Sequence, residues 1–366
     1  MNYILSHITS VYLLGIGGIG MSALARWFRA RGASVAGYDR TPGPLTRKLQ
    51  EEGITVHFED RPELVPPGTE LVIYTPAIPS DLRMMQAIKS AGTRMLKRSQ
   101  VLGMLSEEYD TIAVAGTHGK TSITSLIAWI FTRAGIPITA FIGGISRNFS
   151  SNLVMSPEAR TMIAEADEFD RSFLQLRPAM AVISSMDADH LDIYGSRERM
   201  TEAYREFARG VSPRGTLIMR SGLPDMHAAA SKVTYGLDEK ADCHCRDIVF
   251  ENGEMHFTIV WKGLSIAGCR LSIPGRHNLE NALAATAVSL TAGVGAAELR
   301  DALQSYRGVE RRFDLRIRRD DLVFIDDYAH HPEELSAVIN AVREAYPGRK
   351  LTGIFQPHLY SRTRDL

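Results

Sequence analysis

The chain has 366 residues, 45% of them hydrophobic, with 42 Lys+Arg against 42 Asp+Glu. That length allows two or three domains with real cores, and the balanced charge gives no argument for a nucleic-acid binder, an anionic-membrane binder or a disordered chain. Three cysteines, Cys243, Cys245 and Cys269, make neither a disulfide framework nor a four-ligand zinc pattern, so free thiols in a reducing, cytoplasmic compartment are expected.

At the N-terminus the apolar run Val11 to Leu14 is broken by glycines and lacks a basic flank, so it reads as neither signal peptide nor membrane span. It is instead a strand, Ser10 to Leu14, feeding Gly15-Ile16-Gly17-Gly18-Ile19-Gly20 and a helix-patterned segment that ends at Gly32. Gly15, Gly17 and Gly20 fit G-x-G-x-x-G, and Asp39 follows the next short strand, Ser34 to Tyr38. The physical content of that fingerprint is a diphosphate on a helix N-terminus with a carboxylate near a ribose, which any nucleotide-diphosphate compound would satisfy. A further buried strand, Glu70 to Tyr74, runs into the loop Thr75-Pro76-Ala77-Ile78-Pro79, predicted to lie beside the glycine turn at the carboxyl edge of the sheet. The first boundary falls at about residue 106.

The stretch Thr111 to Arg133 carries the strongest signal. A β-branched run, Ile112 to Ala115, gives way to Gly116-Thr117-His118-Gly119-Lys120-Thr121 and then to Ile123, Leu126, Ile127 and Ile130 at helical spacing. Strand, glycine turn and helix in that order predict backbone N–H groups around an anionic phosphate, Lys120 on the β- and γ-phosphates, and the Thr121 hydroxyl on Mg²⁺. Val114 stands where the longer G-x-x-x-x-G-K-[ST] motif has its first glycine.

Two more strand ends bring oxygen ligands to the same edge. Thr161 to Ala164 runs into Glu165, Asp167, Glu168 and Asp170, and Met180 to Ser184 runs into Asp187, Asp189, His190 and Asp192. Such groups suit Mg²⁺, which takes one or two carboxylates plus phosphate oxygens. From Cys243 to Ile273 the pattern predicts hairpins turning at Asn252-Gly253 and Lys262-Gly263. Arg276-His277-Asn278 then open an alanine-rich helix to Leu290, where Asn and His read first as capping groups. Beyond Arg307 come a strand, Leu322 to Ile325, the run Asp326 to Pro332, a helix with Leu335, Val338, Ile339 and Val342 on one face, and a strand from Leu351 to Phe355. Two strands and one helix do not cover a sheet, so this last domain is expected to be incomplete.

Eight segments in order, GIGGIGMSALA, AGTHGKT, EADEFDRSFLQLRP, DADHLDIYG, GRHNLENALAA, GVERRFD, DDYAHHP and FQPHLYSRTRDL, resemble motifs of the Mur ligase family across nearly the whole chain. The resemblance implies an α/β fold of three domains: a Rossmann-like unit over 1–106, a central P-loop ATPase-like α/β unit over 107–306, and a truncated Rossmann-like unit over 307–366. It implies ATP-dependent ligation of L-alanine to the lactyl carboxylate of UDP-N-acetylmuramate in the cytoplasm, by a monomer or homodimer, with no nucleic-acid or membrane partner. Gly15, Gly17, Gly18, Gly20, Asp39 and His118 would serve the sugar nucleotide. Gly116, Thr117, Gly119, Lys120, Thr121, Ser122, His277, Asn278, Asn281, Arg312, Asp327 and His330 would serve ATP. Two Mg²⁺ ions would be held by Thr121, Glu165 and His190, with Lys120, Glu165 and His190 as the catalytic set, while Tyr328, His358 and Arg362 would line the alanine site.

Two departures from the family pattern stand out. Many members carry a carbamylated lysine shortly after the metal-binding histidine, whereas between His190 and Phe207 this chain has Arg197, Arg199 and Arg205 and no lysine. The family also continues for most of a hundred residues past the position of Leu366. Three rival readings share parts of the pattern: a murein-peptide ligase that adds a tripeptide to the same sugar nucleotide, an NAD-dependent oxidoreductase suggested by the first glycine turn alone, and a sugar-nucleotide-binding module without turnover.

Overall fold

The first five strands form a wholly parallel sheet in the spatial order Thr55–His57, Ser34–Tyr38, Ser10–Leu14, Leu71–Tyr74, Met95–Lys97. The protein is described here from a computed structural model, covering residues 5–187, 191–228, 230–251 and 253–357. Because the order reverses on either side of Ser10–Leu14, a crevice opens at its carboxyl end. The glycine turn fills that crevice, and the loop after Leu71–Tyr74 lies against it, since a β-carbon on Gly15 would sit 3.1 Å from Ile78 Cδ1. The helix Ile19–Ala30 follows the turn and buries Met21, Leu24, Trp27 and Phe28 against the sheet.

A second sheet of ten strands carries the phosphate loop. Its central strand, Asp110–Ala115, is flanked by Met180–Ile183 on one side and Thr161–Ala166 on the other, both parallel to it. Val114 is fully buried and paired with Val182 and Glu165, so position 114 belongs to the strand here and the turn starts later than in the longer motif. The helix Lys120–Arg133 packs with the helices Arg276–Thr291 and Ala296–Ser305 over one face of this sheet, sharing a core of Ile123, Ile127, Phe131, Leu279, Leu283 and Leu303. Hairpins formed by Cys243–Glu251, Glu254–Trp261 and Leu264–Leu271 extend one edge, as their alternation predicts. Asn252, in the first predicted turn, lies outside the described residues. The opposite edge is a hairpin of Ile138–Ser146 and Ser151–Met155, whose spacing carries no period that singles it out.

The third sheet is a two-stranded antiparallel ribbon, Asp314–Arg318 with Val323–Asp326, followed by the helix Pro332–Ala345. One expectation fails here. The predicted strand Leu351 to Phe355 is not formed: residues 351–357 run without helix or strand, Ile354 is 96% exposed, and among the described residues no strand offers their backbone groups a ladder. The helix also buries Ala341 and Ala345 rather than Ile339, which is exposed. Small residues are needed on that face, since a β-carbon on Gly275 would come within 2.7 Å of Ala341 Cβ.

The core of the first sheet runs on into the second without a break, from Leu13, Trp27 and Leu105 to Ala113, Met162, Phe173, Tyr204 and Phe207. Phe173 stacks on Phe207 with ring centres 5.1 Å apart and meets Tyr204 edge-on at 5.3 Å, which pins the segment after Glu168 to the helix Arg197–Arg209. Phe173→Ala is therefore expected to destabilise the fold by about 3–5 kcal/mol, the usual cost of emptying a buried phenyl site. Denaturant unfolding checks this; a loss within the scatter of surface substitutions would show that the ring is not a keystone of the core.

Candidate active site

The phosphate loop is shaped by two glycines in the left-handed region, Gly116 at φ 135° and Gly119 at φ 85°. Both are also sterically closed: a β-carbon at Gly116 would strike Ser184, and one at Gly119 would lie 2.5 Å from Asn281 Oδ1. The segment after Met180–Ile183 braces the turn from behind. His118 N–H donates to Ser185 Oγ at 2.8 Å, the Thr117 hydroxyl to Asp187 O at 3.0 Å, and the Ser184 hydroxyl to His118 O. Neither serine is identifiable as a brace from spacing, although both sit where the neighbouring parallel strand ends.

Lys120 opens the helix. Its ammonium donates to Gly116 O at 2.8 Å and to both oxygens of Glu168, at 2.9 and 2.7 Å. Burial works against this charge, but Glu168, Asp167 and Glu165 outweigh it and hold the lysine above its usual pKa. Glu168 is 1% exposed and is raised by its own burial despite the lysine. A phosphate arriving at Lys120 would therefore exchange for a carboxylate that burial already disfavours as an anion.

Glu165 lines the same cavity as Lys120 and feels its charge. Its Oε1 accepts from Gly143 N–H at 2.7 Å, and a β-carbon at Gly143 would collide with its carboxylate. Burial raises its pKa, opposed by Gly143, Lys120, the Thr121 hydroxyl and Arg312. A buried carboxylate beside a hydroxyl at a phosphate loop fits a hard divalent cation completed by phosphate oxygens and water. Among the described residues no group of three or more His, Cys, Asp or Glu side chains is placed to hold a metal by itself. His190, expected as a second-ion ligand, lies outside the described residues, as do His358 and Arg362.

Two cavities meet at the phosphate loop. The larger, about 440 Å³, runs from Gly18 and Gly20 past Thr75 and Arg98 to His118, Lys120, Thr121, Glu165, Arg312 and His330. The smaller, about 230 Å³, is walled by Ser122, His277, Asn278, Asn281, Arg312 and Asp327. His118, Gly119, Thr121, Arg312 and Glu334 border both. Many of the predicted residues, from all three units, thus line one cavity or the other, with Arg98, Ser184, Ser185, Glu168 and Glu334 beside them.

Some assignments look different in three dimensions. Asp39 is engaged with the glycine turn, accepting from Gly17 N–H at 2.8 Å and from Thr41 N–H at 3.2 Å, and it lines neither cavity. Gly15 and Gly17 likewise shape the turn from below, while Gly18 and Gly20 face the cavity. Tyr328 also lines neither cavity; its ring carries the Arg311 guanidinium at 4.5 Å and that of Arg312 at 5.6 Å. Asn278 is not the cap: the helix N-cap is Gly275 with no side-chain cap bond, and Asn278 instead donates its side-chain N–H to Pro274 O at 2.7 Å and borders the smaller cavity. Burial lowers the His277 pKa to about 4, so a neutral imidazole faces that cavity at neutral pH. Asp327, raised by burial, accepts from Phe313 and Ala329 N–H groups at 2.6 and 2.7 Å.

Glu334 has no signal in the spacing beyond its place in a helix N-terminal capping box with His331. In the fold it reaches the phosphate loop, its Oε1 lying 3.0 Å from His118 Nδ1 and 3.9 Å from Arg312 Nη1. Against burial, which raises it, His118 and Arg312 hold this carboxyl well below the usual range. The third sheet's helix is thereby fastened to the turn that would hold phosphate.

Comparison with known proteins places this geometry. The description "Mur ligase family, catalytic domain" matches residues 10–110, "Mur ligase middle domain" residues 114–289, and "Mur ligase, glutamate ligase domain" residues 311–366. A UDP-N-acetylmuramate–L-alanine ligase of Christiangramia forsetii is 45% identical over 99% of this chain and 80% of its own length. Among solved structures, the UDP-N-acetylmuramate–alanine ligase of Thermotoga maritima superposes with a TM-score of 0.85 at 27% identity, over 98% of this chain and 83% of that one. A murein peptide ligase of Psychrobacter arcticus gives 0.75 at 26% identity, over 93% and 77%. With that extent and identity of match, and a phosphate loop set between a glycine-turn sheet and a third α/β unit, the chain belongs to the Mur ligase family.

Proposed function

We propose that this chain catalyses the ATP-dependent joining of L-alanine to the lactyl carboxylate of UDP-N-acetylmuramate, an early step of peptidoglycan precursor synthesis that releases ADP and phosphate. The observation that carries the reading is the common wall of the two cavities. The larger has room for a sugar nucleotide between the first glycine turn and Lys120, the smaller for a nucleoside beside Ser122, and the γ-phosphate would lie at their junction. The residues 1–106, 107–306 and 307–366 would then be the sugar-nucleotide, ATP and amino-acid units.

The chemistry follows from the groups at that junction. The N–H groups at the start of the helix Lys120–Arg133, with its positive end, cradle the phosphates, while the His118 N–H holds the turn to Ser185. Lys120 leaves Glu168 for the β- and γ-oxygens, and Arg312 approaches from the third unit. Thr121 and Glu165 would hold a first Mg²⁺ and His190 a second; bound there, the metal would supply neutralisation of phosphoryl charge. A lactyl carboxylate oxygen attacks the γ-phosphorus as the bond to the ADP oxygen breaks, giving an acyl phosphate. The L-alanine amine then adds to the activated carbonyl, loses a proton, and the carbon–oxygen bond to phosphate breaks to leave the amide. Gly15, Gly17, Gly18 and Gly20 would position the sugar-nucleotide diphosphate, with Asp39 holding the turn and His118 facing the same substrate. His277, Asn278, Asn281, Asp327 and His330 would surround adenosine. Tyr328, His358 and Arg362 would form the amino-acid site, the arginine paired with the alanine carboxylate.

The name carried by the relatives favours L-alanine over a tripeptide as the amine, and the two acceptors compete directly. Phosphate release should require ATP, UDP-N-acetylmuramate and L-alanine together, with L-alanine preferred over L-alanyl-γ-D-glutamyl-diaminopimelate. Preference for the tripeptide would move the chain to the murein-peptide branch. Lys120→Ala should reduce release by about 10²–10³-fold, the loss typical of removing one charge-stabilising donor. Sugar-nucleotide binding, followed by calorimetry, should be retained, and equal loss of both would misplace the lysine. Glu165→Ala should raise the Mg²⁺ concentration needed for half-maximal rate more than Glu168→Ala, since Glu168 is committed to Lys120 in the resting site; the opposite ranking would make Glu168 the ligand.

A further inference from the structure

Asn152 is fully buried on the edge strand Ser151–Met155 of the ten-stranded sheet, yet its amide is spent entirely on a helix of the first sheet. Its Nδ2 donates to Ile19 O at 2.6 Å and to Ser22 Oγ at 2.9 Å, and its Oδ1 accepts from Arg26 Nη1. Residues 19, 22 and 26 lie on one face of the helix Ile19–Ala30, the helix whose N-terminus is the glycine turn. Arg26 is itself held by both oxygens of Glu52, at 2.7 and 3.0 Å. One turn away, Lys48 Nζ donates to Ser150 O at 2.7 Å.

The same hairpin reaches the other two parts of the site. Its first strand, Ile138–Ser146, supplies the Gly143 N–H that holds Glu165, and a β-carbon on Gly144 would press on Thr121 Cγ2 at 3.1 Å. Past its turn-ward end, Arg147 N–H donates to Gly308 O at 2.8 Å and the Arg147 guanidinium to both oxygens of Asp314, at 2.8 and 2.6 Å. The hairpin is thus tied to all three units by hydrogen bonds, of which those of Asn152 are fully buried.

We propose that Asn152 is a positioning residue, fixing the separation between the glycine turn of the first sheet and the phosphate loop of the second. It touches no substrate. It acts through the helix Ile19–Ala30, setting where the diphosphate end of the larger cavity stands relative to Lys120 and Glu165. The inference rests on the ligase reading for its kinetic consequence, though the separation itself is a property of the fold. In-line attack tolerates little error: a misplacement of about 1 Å costs on the order of 10²-fold in rate.

The test uses the whole chain with Asn152→Ala, and with Ser22→Ala as a milder variant that removes one of the three bonds and leaves no large hole. UDP-N-acetylmuramate and a non-hydrolysable ATP analogue are each titrated alone by calorimetry, and phosphate release is normalised to the chains that bind sugar nucleotide. The expected result for Asn152→Ala is a fall in kcat per binding-competent chain of about 10–100-fold with each separate Kd changed less than about threefold, and a smaller fall of the same kind for Ser22→Ala. An unchanged kcat per competent chain would overturn the proposal, as would a loss of sugar-nucleotide affinity that matches the loss of rate, which would mean that Asn152 only supports the local pocket. A second arm needs no turnover: spin labels placed at the exposed Glu51 and Glu298 should give one narrow distance distribution in the parent and a broadened or shifted one in Asn152→Ala. Identical distributions would reject the positioning role. Failure of the parent to bind UDP-N-acetylmuramate would count against the ligase reading alone, leaving the spin-label result to judge Asn152.

Discussion

A single turn sets the dimensions of the site. Gly119 holds φ 85° with Asn281 Oδ1 where its side chain would be, and Gly116 holds φ 135° against Ser184. Any β-carbon at either point would both strain the backbone and push away a wall of the site. The turn is thereby pressed between the helix Arg276–Thr291 and the strand-end serines behind it, which fixes the place where the helix Lys120–Arg133 begins. Lys120, Thr121, Glu165 and Arg312 are arranged about that place.

Charge is distributed around the turn so that a polyanion can enter a region already rich in carboxylates. Glu165 and Glu168 are both raised by burial, and Lys120 is kept charged by them. Glu334 differs: it is held well below the ordinary carboxylate range by His118 and Arg312, and it ties the helix Pro332–Ala345 to the turn. Beside the Arg147–Asp314 ion pair, the third unit is thus fastened by a contact between Glu334 and His118 at the phosphate loop. Such a contact can break and re-form around a nucleotide, which suits a site that must admit three substrates and then exclude water.

What the sequence disclosed and what it withheld divide along a physical line. Strand, glycine turn and helix are local units, and the segments Ser10–Leu14, Ser34–Tyr38 and Cys243–Leu271 lie where alternation and turn residues put them. Contacts between segments that are separate in the chain leave no period. Glu334 with His118, Asn152 with Ile19 and the Gly143 support of Glu165 became visible only once the chains of contact were drawn in space. The apolar run Leu351 to Phe355 shows the converse: β-branched and aromatic composition without a pairing partner does not make a strand. Asp39 is intermediate, correctly placed beside the glycine turn, yet bonded to the turn's own backbone at Gly17.

The central claim is that the two cavities meet so that a carboxylate in one attacks the γ-phosphate in the other. Oxygen transfer tests it most directly. With both lactyl carboxylate oxygens of UDP-N-acetylmuramate carrying oxygen-18, turnover with ATP and L-alanine should place one labelled oxygen in the released phosphate and leave the other in the new amide carbonyl. Unlabelled phosphate, with both heavy oxygens still on the sugar nucleotide or lost to water, would contradict an acyl phosphate and with it the placement of the γ-phosphate at the junction of the two cavities.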